Sequence, residues 1–227
     1  MQGRNGDVMS KRYWEWKSSF PVKAADAAFL IIDMQKGFVD EGGCLEVPMA
    51  REQLPVMVDF MEFCHENNIP VYKSVFAQGP DFSYDFYWNK NKERGLMDEN
   101  GDYRFAIGSE ECEMTGSLDN GAQDIVFPKY GYDCFAYTKL DEWLKKENKK
   151  TLIICGTVVN WCVDSTVRSA YHKGYQVVVL ADAVSGYDHA GLTGRQWVET
   201  ELDLFGEAFA KVESAEQLEK EISDNKK

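Results

Sequence analysis

The chain is poor in histidine, with three in 227 residues, at positions 65, 172 and 189. They are too scattered for the ligand spacing of a zinc site, so a structural role is expected for each and no catalytic metal or other cofactor is expected. Positive charge is also scarce: 25 Lys and Arg against 38 Asp and Glu leave a net charge of −13. Such an acidic chain is repelled by phosphate backbones and anionic lipid, which argues against nucleic-acid and membrane partners. No apolar run approaches the roughly 20 residues that span a bilayer. Residues 1–20 lack the apolar core of a signal peptide, so a cytoplasmic location is expected. The six cysteines, at 44, 64, 112, 134, 155 and 162, contain no Cys-x-x-Cys pair. In that setting reduced thiols are expected rather than a disulfide framework. Cys44, Cys64, Cys134 and Cys155 have apolar or aromatic neighbours and read as small buried hydrophobes.

Against these deficits, 44% of the residues are hydrophobic, enough for a sizeable core. Residues 27–32 (Ala-Ala-Phe-Leu-Ile-Ile) read as a strand buried on both faces. Residues 55–67 place Val56, Phe60, Phe63 and Cys64 at helical spacing behind Pro55. Further strands are expected at 69–76, 124–127, 151–155, 175–180 and, shorter, 208–212. Helices are expected from Thr138 to about Glu147 with Asp141 completing a weak capping box, from about Trp161 to Lys173 with Gly174 as the stop, from about His189 to Leu204, and from Ser214 onward. Lys226 and Lys227 are expected to fray. Strands alternating with helices of this length predict an α/β domain, a parallel sheet with helices on both faces. Residues 77–121 interrupt the pattern with an irregular insertion rich in aromatic and charged side chains, a length usually functional or interfacial. One domain over 27–227 is expected, after an amino-terminal arm over 1–26.

Ligands of such sheets bind beyond the carboxyl ends of the strands. The first strand ends at Asp33, the third leads to Lys129, and the fourth leads through Gly156-Thr157-Val158-Val159-Asn160-Trp161 to Cys162. Each has a plain alternative: Asp33 as a turn cap, Lys129 as a solvated surface lysine, Cys162 as a buried helix-start cysteine. Together they form a nucleophile set. A thiol at a helix start beside a cation is expected to have a lowered pKa, and Asp33 is suited to take the thiol proton and pass it to a leaving amine. Backbone N–H groups at a helix start supply material for an oxyanion hole. That chemistry is acyl transfer through a thioester.

Four segments carry a resemblance: Ile31-Ile32-Asp33-Met34-Gln35-Lys36-Gly37-Phe38, Phe127-Pro128-Lys129-Tyr130, Phe135-Ala136-Tyr137-Thr138-Lys139-Leu140, and Gly156 through Arg168. In that order they resemble the isochorismatase-like cysteine hydrolases, which include nicotinamidases, N-carbamoylsarcosine amidohydrolase, biuret hydrolase and ureidoacrylate amidohydrolase. The resemblance runs from about 27 to 212, apart from the insertion. It implies a single three-layer, Rossmann-like domain with a six-stranded, mostly parallel sheet and an Asp-Lys-Cys triad at Asp33, Lys129 and Cys162. It further implies a cis peptide bond between Thr157 and Val158, with the N–H groups of Val158 and Cys162 as the oxyanion hole.

Departures from the family narrow the chemistry. Nicotinamidases carry an Asp-x-His metal cluster after the second strand, whereas Ala77-Gln78-Gly79-Pro80-Asp81-Phe82-Ser83-Tyr84 has no histidine. Asn160 and the run from Cys162 to Arg168 look closer to the ureido and carbamoyl branch, although Asn160 is equally placed to cap the helix. Expected pocket residues are Phe38, Trp88, Tyr130, Phe135, Asn160 and Trp161. The aromatic run 82–88, and Tyr13, Trp14 and Trp16 in the arm, point to a homo-oligomer, a dimer or tetramer. The leading expectation is a metal-independent cysteine amidohydrolase of a small carboxamide or ureido compound. The alternatives are a hydrolase of a vinyl ether or ester, a nicotinamidase, and a non-catalytic or redox thiol protein.

Overall fold

Residues 27–32 are apolar at every position, and the strand they form, β1 (Ala27–Ile32), is buried throughout. Its side chains alternate between two cores: Ala27, Phe29 and Ile31 face one, and Ala28, Leu30 and Ile32 the other. This two-sided burial is the reason the run shows no polar alternation. The computed structural model describes residues 11–18, 20–79, 92–118 and 123–225. The whole aromatic run 82–88, Trp88 included, and the carboxyl-terminal lysines lie outside the described residues.

Around β1 stand β2 (Val71–Phe76), β3 (Ile125–Lys129), β4 (Thr151–Thr157), β5 (Gln176–Ser185) and β6 (Lys211–Glu213). They form one six-stranded sheet in the order β3-β2-β1-β4-β5-β6, and every pairing is parallel. Helices α1 (Lys36–Val39) and α2 (Pro48–Glu52) follow β1, before α3 (Leu54–Glu66). Later come α4 (Leu140–Lys146), α5 (Asp164–His172), α6 (Gly194–Ala208) and α7 (Ala215–Asp224). Residues of α3 and α7 pack on the Phe29 side, and residues of α4, α5 and α6 on the Leu30 side. The expected α/β architecture with helices on both faces is present.

Several boundaries differ for local reasons. The expected capping box at Thr138 is absent: Thr138 Oγ1 donates to the Cys134 carbonyl at 2.6 Å, and α4 begins two residues later. The helix expected from His189 begins at Gly194, because Thr193 and Gln196 form the capping box there. His189 instead lies in a turn, bridged to Leu192. His65 has a structural partner, with Nε2 2.8 Å from Asp124 Oδ1, and the other Asp124 oxygen is 2.7 Å from the buried Lys73 ammonium. In the arm, the Tyr13 N–H donates to Asp203 on α6 at 2.8 Å.

The sheet reverses its winding between β1 and β4, the strands whose far ends carry Asp33 and lead to Cys162. There Gly156 sits opposite Ile32 at φ +118°, and an added Cβ would lie 2.2 Å from the Ile32 carbonyl oxygen. Only glycine lets the strands approach this closely. Gly156→Ala is expected to destabilise the fold by about 2–4 kcal/mol, combining backbone strain and overpacking. Urea unfolding checks this: the midpoint falls while the m-value holds.

Candidate active site

Asp33 leaves β1 in a left-handed conformation, φ 52°, which turns its carboxylate back over the strand ends. Ser74 within β2 fixes it: the Asp33 N–H donates to the Ser74 carbonyl at 3.1 Å, and Ser74 Oγ donates to Asp33 Oδ1 at 2.8 Å. Asp33 Oδ2 lies 2.7 Å from Lys129 Nζ, and both side chains are fully buried. Lys129 is the last residue of β3 rather than a residue beyond it. Its ammonium also donates to the Gly131 carbonyl at 2.7 Å and stands 3.3 Å from Cys162 Sγ. The buried-lysine geometry removes the solvated-surface alternative for Lys129.

Cys162 is held from the β4 side. The Thr157–Val158 peptide bond is cis, as the resemblance implies. Beyond it, Val159–Val163 forms a turn of π-helix that runs into α5. The Val158 carbonyl accepts the N–H groups of Trp161 and Val163 at 3.1 and 3.2 Å. Thr166 Oγ1 donates to the Cys162 carbonyl at 2.7 Å, and Ser185 Oγ donates to Thr157 Oγ1 at 2.7 Å. The acid, the amine and the thiol, from three separate strand ends, are thus in one cluster. Gln35 braces it from behind: its amide donates to the Phe76 and Glu111 carbonyls and accepts from the Phe76 N–H at 2.7 Å.

The expectation of a lowered thiol pKa is corrected by burial. Desolvation raises the Cys162 thiol well above its ordinary value; Lys129 pulls it back in part, and Asp33 raises it further. The cation and the carboxylate are paired and oppose each other at the sulfur, and loss of water is the largest influence. Lys129 is held charged: burial alone would lower its pKa, but the adjacent Asp33 carboxylate outweighs that and raises it. Cys134, buried beside the cluster, is pushed up to about 12, chiefly by desolvation. These directions favour a neutral thiol at rest beside the Asp33–Lys129 pair.

Cys162 opens into a cavity of about 320 Å³ whose walls are mostly apolar. Of the expected pocket residues, Phe38 and Trp161 line it, as do Val158 and Cys162. Tyr130, Phe135 and Asn160 do not. Phe135 is turned into the core and stacks on Tyr175 with ring centroids 5.8 Å apart. Asn160 neither caps the helix nor reaches the cavity; its amide clasps the backbone of Tyr187 in both directions, at 3.2 and 3.3 Å. Trp88 lies outside the described residues. The sequence reading missed Phe76, Arg94, Tyr132, Tyr187 and His189, all of which line the cavity. The position of Phe76 at a strand end was a usable signal. Among the described residues, no three His, Cys, Asp or Glu side chains gather as a metal site. No helix among them is long and apolar enough to cross a membrane.

Comparison with known proteins gives a consistent answer. The isochorismatase domain family model matches residues 27–217. The ureidoacrylate amidohydrolase RutB of Methylorubrum extorquens is 30% identical over 173 residues, 70% of each chain. RutB of Pseudomonas savastanoi pv. phaseolicola is 28% identical over 177 residues, 71% of each chain. The crystal structure of a cysteine hydrolase from Pseudomonas syringae pv. phaseolicola superposes with a TM-score of 0.79 at 21% identity, covering 90% of this chain and 96% of that one.

The raised thiol pKa has a direct readout. Iodoacetamide alkylation of Cys162, followed by peptide mass spectrometry, is expected to accelerate about tenfold per pH unit through and beyond pH ~8.5, because the thiolate is the reactive form. A plateau reached near neutrality would mean a stabilised resting thiolate. The sign carries over to stability: a buried thiol with a raised pKa contributes fully below the unfolded value, about 8.5, and its contribution is lost as pH climbs through the folded value.

Proposed function

This chain belongs to the isochorismatase family, a family of hydrolases, and on that footing we propose that it is a metal-independent cysteine amidohydrolase that cleaves the C–N bond of a small carboxamide or ureido compound. The observation that carries the reading is the buried cluster: Cys162 Sγ 3.3 Å from a lysine ammonium that is itself 2.7 Å from Asp33, at the wall of an apolar cavity. The ureido branch is favoured by the relatives that bear the name ureidoacrylate amidohydrolase.

The chemistry follows from the groups present. Substrate entering the cavity displaces water and brings its carbonyl carbon against the sulfur. Asp33 takes the proton of the Cys162 thiol as the sulfur attacks, so the poor acidity of the free thiol is overcome only when the S–C bond forms. Lys129 keeps the Asp33 carboxylate in place and offsets the negative charge that collects in the buried site. The N–H groups of Val158 and Cys162 receive the carbonyl oxygen as it becomes an oxyanion. Protonated Asp33 then gives its proton to the leaving nitrogen, the C–N bond breaks, and ammonia departs, leaving a thioester. Asp33 next deprotonates a water that attacks the thioester, and the returned proton restores the thiol. A ureido substrate leaves a carbamate, which loses carbon dioxide.

The same reading takes 27–227 as the catalytic domain behind an arm over 1–26, in a cytoplasmic protein. It includes self-association, for which Trp14, 61% exposed, and Trp16, 36% exposed, offer apolar surface.

Ammonia release from a panel of biuret, ureidoacrylate, N-carbamoyl amino acids, maleamate and nicotinamide tests the reaction. Cys162→Ala and Asp33→Asn are each expected to lower kcat by about 10³-fold or more, since members of such a unit fail together. Retained turnover in Cys162→Ala would overturn the nucleophile assignment. A chelator is expected to leave the rate unchanged; full loss with recovery on added zinc would overturn the metal-independent mechanism.

A further inference from the structure

The insertion over 77–121 brings a charge to the cavity. Residue Arg94, in the turn before Gly95, lines it together with Trp161 and Cys162. Its guanidinium lies 4.7 Å from the Trp161 ring centre and donates to Tyr132 Oη at 2.6 Å. Trp161 is in turn packed by Tyr132, at 5.3 Å between centroids, and edge-on by His189, at 5.5 Å. The turn is anchored rather than free. The buried Gln78 amide donates to the Leu96 and Arg104 carbonyls at 3.1 and 3.0 Å, and the Gln78 N–H donates to the Phe105 carbonyl at 2.7 Å.

Two features set this arginine apart. The protein's net charge is −13, yet among the described residues no carboxylate lines the cavity wall. Among the described residues no Asp or Glu forms an ion pair with Arg94, whereas Arg12, Arg51, Arg168 and Arg195 each have at least one; Arg104, which also has none, does not line the cavity. A guanidinium over an aromatic face leaves the N–H groups at its edge free to grip a carboxylate at two points. An acidic protein repels an anionic substrate at long range, so a cation on the cavity wall is the local feature that offsets this.

We infer that Arg94 sets substrate specificity by holding the carboxylate of an anionic substrate, a short ureido acid or the half-amide of a dicarboxylic acid, whose C–N carbonyl then meets Cys162. This rests on the amidohydrolase reading and names its substrate class. Arg94 binds and orients; it takes no part in proton transfer.

The test uses a matched pair of probes, maleamate and its neutral counterpart maleamide, titrated calorimetrically into the full chain carrying Cys162→Ala. Maleamate is expected to bind at least about tenfold more tightly, the scale of one charge-assisted contact. Adding Arg94→Gln should bring the two dissociation constants within about twofold, Arg94→Lys should keep part of the preference, and added salt should weaken maleamate alone. Equal binding of the two probes in the Arg94 parent, or a preference that survives Arg94→Gln, would overturn the assignment. Ammonia release by the Cys162 protein separates the two readings. Preference in binding with no turnover of either probe supports the Arg94 site and counts against the amidohydrolase reading. Turnover of both probes, reduced equally by Arg94→Gln, does the reverse.

Discussion

The buried pair of Asp33 and Lys129 is the constraint around which the site is built. Two opposite charges 2.7 Å apart, neither exposed, are tolerable only together, because either one alone would be an uncompensated charge in the interior. Strand order makes their meeting non-trivial: β2 lies between the strands that carry them. Ser74 on that intervening strand holds one Asp33 oxygen, and Phe76 places its ring 5.3 Å from the lysine ammonium. The Gly131 carbonyl takes another ammonium proton. The strand register, the left-handed turn at Asp33 and the glycine that lets β4 close on β1 all serve this one juxtaposition.

The thiol is set against a pair whose net charge is zero, in a largely buried position. A resting thiolate is unfavourable there, and in the proposed mechanism the sulfur becomes nucleophilic only as its proton moves to Asp33. Such an arrangement protects the thiol from oxidation and stray electrophiles, since both react with the thiolate form. It also ties reactivity to occupancy of the cavity, because a substrate carbonyl supplies the acceptor for the electron pair that proton removal frees.

Much of this was legible from residues whose signals are local or periodic. The β1 run shows two-sided burial in its composition, and the polar residue just beyond it is the acid. The cysteine follows β4 by a short loop whose motif carried even the cis peptide bond. What escaped depends on tertiary packing. Adjacency to a strand end does not say which way a side chain turns, so Phe135 was expected in the cavity and lies in the core, and Asn160 clasps Tyr187. The thiol pKa was misjudged because desolvation is invisible in a sequence that shows only the helix start and the cation. Arg94 was missed because its segment has no period: side chain–backbone bonds from Gln78 hold it in place. His189 was recoverable, since Thr193 and Gln196 spell a capping box that begins the helix after it.

The covalent role of Cys162 is the central claim, and the acyl-enzyme is its most direct witness. Protein turning over an amide is quenched in acid within milliseconds, and the Cys162 peptide is weighed. The expected result is an adduct of the substrate mass less ammonia, confined to Cys162 and released by hydroxylamine. Steady turnover with an unmodified Cys162 at every quench time, and no burst of ammonia ahead of acid product, would contradict it.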